Sequence, residues 1–378
     1  MKKVISFILT VCMCFSFTCV SYAAEPQSVK MNKDQLRVAA SYFFWRDVID
    51  SGESGWDENT DFEKPIPLYS IEEDVIAYYI KTVDENDKVN GYMVVNAFWD
   101  NPCVLEFGYG ENIGNTIEKY RTSMNDKVYY ATSGIYCSKD EYKKTDCFTK
   151  QSKNLSDALS TCNPVLKSKI EEIYNSQTGS QTKSNSEWGI IGLRDLPSGA
   201  YSVRNLYNVS GIGWSTTNDT EDDNNCGPTS GTNMLLYYEE YLNTTFVSSK
   251  SWTNHKLYNL MNTGSLGTSV TNYITGIKAY INQYYPSHTV TSSTRWSYSW
   301  STLKSNINNN VMVAAYVWAI NNLDGAHYIN YIGWRQYATD GLNYVRVLNQ
   351  WDTSTAHFIL YDSSYTSRVT STIKIVIS

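Results

Sequence analysis

The sequence predicts an α+β protein made of two units. Before residue 175, one apolar helical pattern is followed by strand-like runs, whereas after residue 187 several helical patterns come first and strand-like runs follow. Helices segregated from strands along the chain are typical of α+β domains. The length of 378 residues also exceeds that of one typical domain.

The first unit covers residues 25–174 and is expected to be α+β. The segment DQLRVAASYFFWRDVI spaces its apolar residues as a helix does. The β-rich runs DVIAYYIKTV and GYMVVNAF are joined by the polar DENDKVN, which predicts a hairpin, and CVLEFGYG predicts a further strand. A helix is expected in SDALSTCNPVLKSKIEEIY, interrupted near Pro164. The polar NSQTGSQTKSNSE, residues 175–187, predicts a linker.

The second unit covers residues 188–378. Three helices are predicted, in CGPTSGTNMLLYYEEYL, SVTNYITGIKAYINQYY and SWSTLKSNINN, the last with a serine cap. Strands are expected at 311–320, 327–334, 343–351 and 372–378, with a turn at Asp340-Gly341. The unit therefore reads as helices followed by an antiparallel sheet.

The N-terminus has the pattern of a secretory signal peptide. Two lysines precede an apolar run and small residues, which predicts a signal over residues 1–24 and a mature protein that is secreted or at the cell surface. No other segment approaches the roughly 20 apolar residues of a membrane span. After residue 24 the chain carries 29 basic and 38 acidic residues, and the acidic excess lies in 25–187. This balance opposes nucleic-acid binding, and its unevenness agrees with two units.

The cysteines point to one free thiol. Five follow the signal, and an odd count in a secreted protein leaves one unpaired. Two disulfides are expected among Cys103, Cys137, Cys147 and Cys162, in a pairing that the spacing does not define, so Cys226 is left over. Without a Cys-x-x-Cys pair or closely spaced histidines, neither a zinc site nor a cofactor is expected.

Cys226 is the candidate nucleophile because a helical pattern begins there. The N-terminus of a helix favours the thiolate, which is the nucleophilic form of cysteine. Gly227 would allow a sharp turn, and Pro228 suits a first helical turn. The acidic NDTEDDNN just before it raises the pKa of a thiol, so a cationic partner is needed. A small buried side chain is the alternative reading.

Histidine is the natural partner of such a thiol. His327 opens a β-run after a glycine-containing turn and is the first choice, and His357, in TSTAHFILY, is the second. A catalytic histidine needs a group that orients its ring. A hairpin returns the end of the next strand, VLNQWDT, to the start of the strand that carries His327. Asn349 and Asp352 are both candidates for that orienting group, and Trp351 would shield the hydrogen bond from water.

In this order, the cysteine at a helix start, the histidine at a strand start and Asn-x-Trp closing the next strand resemble the papain-like cysteine peptidases. The segments NCGPTS, WSTLKSNINNNVMVAAYVW and GAHYINYIGW are nearer to the bacterial bacteriocin-processing (double-glycine leader) peptidases and, more distantly, to the streptopain family. This resemblance covers roughly residues 210–355. The segments IPLYS, VIAYYIKTV, GYMVVNAF and PCVLEF are similar to streptopain-type propeptide and inhibitor domains.

The resemblance implies a papain-like catalytic domain secreted as a zymogen. Cys226 would be the nucleophile, His327 the general base and Asn349 the orienting residue, with Asp352 as the substitute. The partners would be a peptide or protein substrate and the first unit, which would block the catalytic unit until a cut in or near 175–187. A cell-wall amidase or transamidase would use the same site, and an inactive papain-fold binding protein would only keep the fold.

The sequence departs from these families in one position. They place a glutamine about half a dozen residues before the cysteine, where its amide helps to form the oxyanion hole. Thr220 stands there, and residues 188–282 contain no glutamine. Asn218, Asn224 or Asn225 could supply a donor beside the Cys226 N–H. Loss of one such donor typically costs about 3 kcal/mol of transition-state stabilisation.

Overall fold

The structure is a computed structural model of the chain. It describes residues 29–378 except 52–53, 71, 111–112, 122, 124–125, 133–134, 139–158, 160–162, 178–187, 192–200, 266, 297, 319–325, 339–340 and 367–368. The predicted signal peptide, residues 1–24, lies outside the described residues.

The first unit consists of a long helix, a group of strands and a second helix. The helices are α1 (Lys33–Ser51) and α2 (Pro164–Gln177). The strands are β1 (Asp61–Phe62), β2 (Ile66–Tyr69), β3 (Val75–Val83), β4 (Val89–Asn96), β5 (Val104–Tyr109), β6 (Val128–Thr132) and β7 (Ile135–Cys137). A capping box starts α1, since Asn32 accepts from the N–H of Gln35 and Gln35 accepts from the N–H of Asn32, each at 2.9 Å.

In the second unit most helices precede the strands. The helices are α3 (Cys226–Leu242), α4 (Lys250–Leu260), α5 (Val270–Tyr284), α6 (Trp300–Asn308) and the single turn α7 (Ser363–Thr366). The strands are β8 (Tyr201–Asn205), β9 (Val290–Arg295), β10 (Val313–Trp318), β11 (Ala326–Tyr337), β12 (Asn343–Leu348), β13 (His357–Leu360) and β14 (Val369–Ile377).

One sheet runs through both units. Its order is β7-β6-β2-β3-β4-β5-β13-β12-β11-β10-β14-β9, with β1 beside β3 and β8 beside β11. Strands β2 and β6 pair in parallel, and the other described pairs are antiparallel. The two units meet where β5 pairs with β13. Helix α3 packs against β11, and Tyr273 of α5 stacks on Tyr328 of the same strand.

The predicted α+β class is confirmed in the described residues. The helix at α1, the β3–β4 hairpin and the helices α3, α5 and α6 lie where the sequence placed them. Helix α4 and strands β8 and β9 were not predicted, and neither were β1, β2, β6, β7 and the single turn α7. The segments of α4 and β9 are rich in Ser, Thr and Asn and lack a clear apolar period. The papain-like arrangement of the domains stays a prediction.

The boundary between the units is more closely packed than a free linker would be. Helix α2 extends to Gln177, so the first three residues of the predicted linker are helical, and 178–187 lie outside the described residues. Beyond them, Ile190 N–H donates to Asp61 at 2.7 Å, and Trp45 of α1 donates to the Ile191 carbonyl at 2.8 Å. The described residues just after the linker therefore pack on the first unit.

Cys103 corrects the disulfide prediction. It is a free thiol, 2% exposed, in the apolar core of the first unit. Burial raises the pKa of this thiol to about 12, so it behaves as a small apolar side chain. The expectation that Cys103 belongs to a disulfide is therefore wrong. Cys147 and Cys162 lie outside the described residues, and their pairing stays a prediction.

None of the helices in the described ranges combines the length and the apolar character that crossing a membrane requires.

Candidate active site

Cys226 is the first residue of α3, as the sequence predicted. The cap residue Asn225 accepts the first helical hydrogen bond, from Thr229 N–H at 2.8 Å. Glycine at position 227 is explained by close packing and not by the predicted sharp turn. A Cβ at Gly227 would lie 2.5 Å from Thr268 Oγ1, so glycine lets the segment before α5 approach the start of the helix.

The Cys226 thiol is surrounded by backbone donors. Burial raises the pKa of the thiol above its usual range, while N–H groups of Tyr328, Gly227 and Cys226 itself act in the opposite direction. These N–H groups can also stabilise negative charge that develops next to the sulfur. The Cys226 thiol is therefore protonated at neutral pH. The N–H groups around it would stabilise negative charge that develops there during a reaction.

His327 lies at the second residue of β11 and is 6% exposed. Its Nε2 is 2.6 Å from the main-chain carbonyl oxygen of Asn349. Because a carbonyl can only accept, Nε2 carries the proton and Nδ1 keeps the lone pair. The ring stacks on Trp351, with centroids 4.4 Å apart and planes at 12°. Burial lowers the pKa of His327 to about 4, although the bond to Asn349 acts the other way.

One backbone group connects the Cys226 thiol to the strand that carries His327. The backbone N–H that points at Cys226 Sγ belongs to Tyr328, and this N–H is part of the peptide that joins His327 to Tyr328. Helix α3 thus presents its first residue to the strand that carries His327. Burial, which raises the pKa of Cys226 and lowers that of His327, favours the neutral form of each group.

Asn349 contacts His327 through a different group from the predicted one. Its side-chain oxygen accepts from the N–H groups of Trp351 and Asp352, at 3.0 and 3.3 Å, and its amide nitrogen donates to Asp352 at 3.1 Å. The carbonyl of Asn349 is therefore left to orient the imidazole. A backbone acceptor fixes the tautomer as a side-chain amide would.

Asp352 and the second-choice His357 form a pair of their own. His357 Nε2 lies 2.9 and 3.0 Å from the two carboxylate oxygens of Asp352 and 3.0 Å from the Asn349 amide nitrogen. Although burial raises it, the neighbouring His357 lowers the pKa of Asp352 to about 2. Asp352, the predicted substitute for Asn349, thus contacts His357 and holds the asparagine.

The three asparagines suggested as oxyanion donors have different positions. Asn225 is 4% exposed, and its amide donates to the Thr217 carbonyl at 2.8 Å and to Thr220 at 3.1 Å. Asn224 is exposed, has a φ of 56° and donates to the Ser265 carbonyl at 3.3 Å. Asn218 is exposed in the turn Thr217–Asp219. Both described hydrogen bonds of the Asn225 amide therefore go to the segment of this turn, and they join it to the start of α3.

A buried amide network behind the site was missed by the sequence reasoning. Gln350, fully buried, accepts from Asn233 of α3 and donates to Asn330 of β11, at 2.5 Å each. Asn233 also pairs with the backbone of Ser215, at 2.7 and 2.9 Å. The network ties the helix of Cys226 to the strand of His327. The sequence does contain a clue to this network. Asn233, Asn330 and Gln350 each lie within an otherwise apolar segment, and buried side-chain amides need hydrogen-bond partners.

We expect Gln350→Ala to lower the free energy of unfolding by about 2–4 kcal/mol, because it removes one hydrogen bond each from the buried amides of Asn233 and Asn330. Urea unfolding followed by fluorescence measures the change. The matched control is Gln336→Ala, which removes a bond to Lys304 from a half-buried position. Equal losses in the two variants would contradict this role of the network.

Within the described part of the chain, no group of three or more His, Cys, Asp or Glu side chains has the arrangement of a metal site.

In comparisons with known proteins, no family model matches the chain and no curated protein is significantly similar to it. Family membership is therefore not shown, and function has to be proposed from the site.

Proposed function

We propose that the protein is a cysteine-type hydrolase of peptide bonds that uses Cys226 as nucleophile and His327 as general base. One observation carries the proposal. The thiol at the start of α3 lies against the His327–Tyr328 peptide, and the His327 tautomer is fixed with its Nδ1 lone pair available. These two features support a nucleophile, a base and an orienting group of the kind that acyl transfer uses.

The reaction begins with proton transfer. Cys226 Sγ attacks the scissile carbonyl carbon while its proton moves to Nδ1 of His327, and the positive ring is held by the Asn349 carbonyl. The N–H groups of Cys226 and Gly227 stabilise the oxyanion. His327 then gives its proton to the amine nitrogen, the C–N bond breaks, and an acyl thioester remains on Cys226.

Hydrolysis of the thioester reverses these roles. A water molecule gives a proton to Nδ1 of His327 as it attacks the acyl carbon. The C–S bond breaks, and the sulfur takes the proton back from His327. The backbone N–H groups at the start of α3 would take the place of the glutamine amide as donors to the oxyanion, because they do not depend on a particular side chain.

Peptide hydrolysis by the pure protein tests the proposal. Incubation with a mixed peptide library, followed by mass spectrometry, should show cleavage that His327→Ala reduces by about 10²–10⁴-fold, the range for loss of a general base. The matched control is His288→Ala, because His288 lies after α5 and contacts Ser287. Cleavage that persists in the His327 variant would contradict the assigned role.

The protonation states predict a pH profile for the thiol. Because burial raises the pKa of Cys226, its alkylation by iodoacetamide should rise about tenfold per pH unit between pH 5 and pH 8. An ion pair with His327 would instead give a flat rate across this window.

For peptide hydrolysis, the base is active only when neutral, so the acid limb of kcat/KM should lie near pH 4. Labelling of the Cys226 peptide, quantified by mass spectrometry, separates these profiles.

A further inference from the structure

Backbone pairing joins the two units into one sheet. Strands β5 and β13 pair antiparallel, with Gly108 opposite His357 and Phe107 opposite Phe358. A Cβ at Gly108 would lie 2.9 Å from a ring carbon of Tyr92 and 3.2 Å from the Ala356 carbonyl. The glycine therefore permits a close approach that a larger side chain would prevent.

Aromatic side chains fill the core across this junction. The rings of Phe107 and Phe358 stack at 4.8 Å with planes at 7°, and Tyr344 meets the edge of Phe107 at 5.3 Å. The hydroxyl of Tyr344 also donates to the carbonyl of Val104, at 2.8 Å. These rings are at most 2% exposed, so Tyr344 and Phe358 of the second unit lie in the apolar core of the first unit.

A buried ion pair links α1 to β11 at the same junction. Arg335 donates to Asp47 at 2.5 Å, and the side chains are 1% and 0% exposed. The hydroxyls of Tyr109 and Tyr337 donate to the same carboxylate. The guanidinium lies 4.5 Å from the centre of the Phe358 ring. Each charge has its partner on the other unit, and neither side chain has access to solvent.

The junction also reaches the candidate site. Tyr92 of β4 lies 3.4 Å, hydroxyl to Nδ1, from His357, whose other nitrogen contacts Asp352 and Asn349. A cavity with room for about one water molecule is lined by Tyr92 and Glu106 of the first unit and by His327, Asn349 and His357 of the second. The first unit therefore supports the pair that holds the asparagine next to the base.

We propose that the first unit is a permanent partner of the second, which stays bound after any cut in 178–187 and holds the candidate site in place. Its departure would open the β13 edge and expose Phe358. It would also leave Arg335 without its carboxylate. The association follows from the junction alone, whereas the support of catalysis rests on the proposed function.

A nicked form of the full protein tests the association. A site for a sequence-specific protease is placed within residues 178–187, and the cut protein is run on a gel-filtration column at micromolar concentration in native buffer. Both fragments are expected in one peak at the volume of the uncut chain, and they should separate only in urea that unfolds the protein. Separation in native buffer overturns the proposal, whether or not the second fragment is active.

Two aspartate variants of the nicked protein test the ion pair. Asp47→Asn should raise the dissociation constant of the fragments at least tenfold, while Asp74→Asn, at a surface aspartate that is 68% exposed and paired with Lys30, should leave it unchanged. Tyr109→Phe, which removes one hydroxyl from Asp47, is the milder variant if Asp47→Asn does not fold, with a severalfold rise expected. Unchanged affinity in both junction variants overturns the role of the ion pair.

Activity separates the two proposals. An assembled nicked complex that cleaves no peptide contradicts the proposed function and leaves the association standing. A separated second fragment that cleaves peptides contradicts the association and leaves the proposed function standing. Cleavage by the assembled complex in native buffer, reduced in the junction variants in proportion to the weaker association, supports both.

Discussion

Cys226→Ala is expected to lower peptide hydrolysis by about 10⁴-fold or more, since no other group on the reaction path can form the thioester. The effect should appear in kcat, because the nucleophile acts in the chemical step. Steady-state cleavage of the best substrate from the peptide library measures it, with folding checked by circular dichroism.

Cys103→Ala is the matched control for this variant. Cys103 is also a free thiol, but it lies in the core of the first unit, where burial raises its pKa to about 12. Its replacement should leave kcat within about twofold of the wild type and should cost a little stability through the small void that it leaves. Hydrolysis that survives in the Cys226 variant and is lost in the Cys103 variant would contradict the assignment of the nucleophile.

Arg335→Met is expected to lower the free energy of unfolding by about 3–5 kcal/mol, because it leaves the Asp47 carboxylate buried without its cation. The hydroxyls of Tyr109 and Tyr337 remain and compensate only in part. Since α1 and β11 are both anchored at this ion pair, the loss should appear as one cooperative transition of both units. Urea unfolding, followed by fluorescence and by circular dichroism, measures it.

The control for the arginine variant is Arg204→Met on the neighbouring strand β8. Arg204 is exposed and lies opposite Trp334 in the sheet, so its replacement should change the free energy of unfolding by no more than about 0.5 kcal/mol. A loss below about 1 kcal/mol in the Arg335 variant, or separate transitions for the two units, would contradict the anchoring role of the ion pair.

Much of the fold follows from local patterns in the sequence. Helix α3 has an apolar period and a proline in its first turn, and the β3–β4 hairpin alternates two β-rich runs around a polar turn. Helix α4 was missed although Ser249 caps it by accepting from Trp252 N–H at 3.2 Å. Its segment contains many polar residues, so packing against α3 and α5 decides its conformation more than propensity does.

The sequence predicts which residues of the candidate site lie close together better than it predicts which atoms make the contact. The hairpin between β11 and β12 predicts that His327 and Asn349 lie close together, and the Asn349 carbonyl is 2.6 Å from His327 Nε2. The role of Cys226 beside them stays a prediction. Gln350, at a φ of 69°, shows that the backbone after β12 turns sharply, and such a turn decides whether the carbonyl or the amide of Asn349 faces the imidazole. No periodicity reports this conformation, because it depends on the buried partners of Gln350.

The contact of Tyr92 with His357 was beyond sequence reasoning for a different reason. It depends on the β5–β13 junction, which joins residues about 250 positions apart in the chain. Spacing within one segment contains no information on such a contact. The same junction explains how Tyr92 of the first unit reaches a histidine next to the candidate site.

The most direct test of the account is to trap the acyl intermediate. The protein is mixed with an activated peptide ester, quenched in acid and digested, and the acylated residue is located by mass spectrometry. We expect one acyl group on Cys226, and its rate of formation should fall sharply in His327→Ala and not in His288→Ala. Acylation of another residue, or turnover of the ester without any adduct on Cys226, would contradict it.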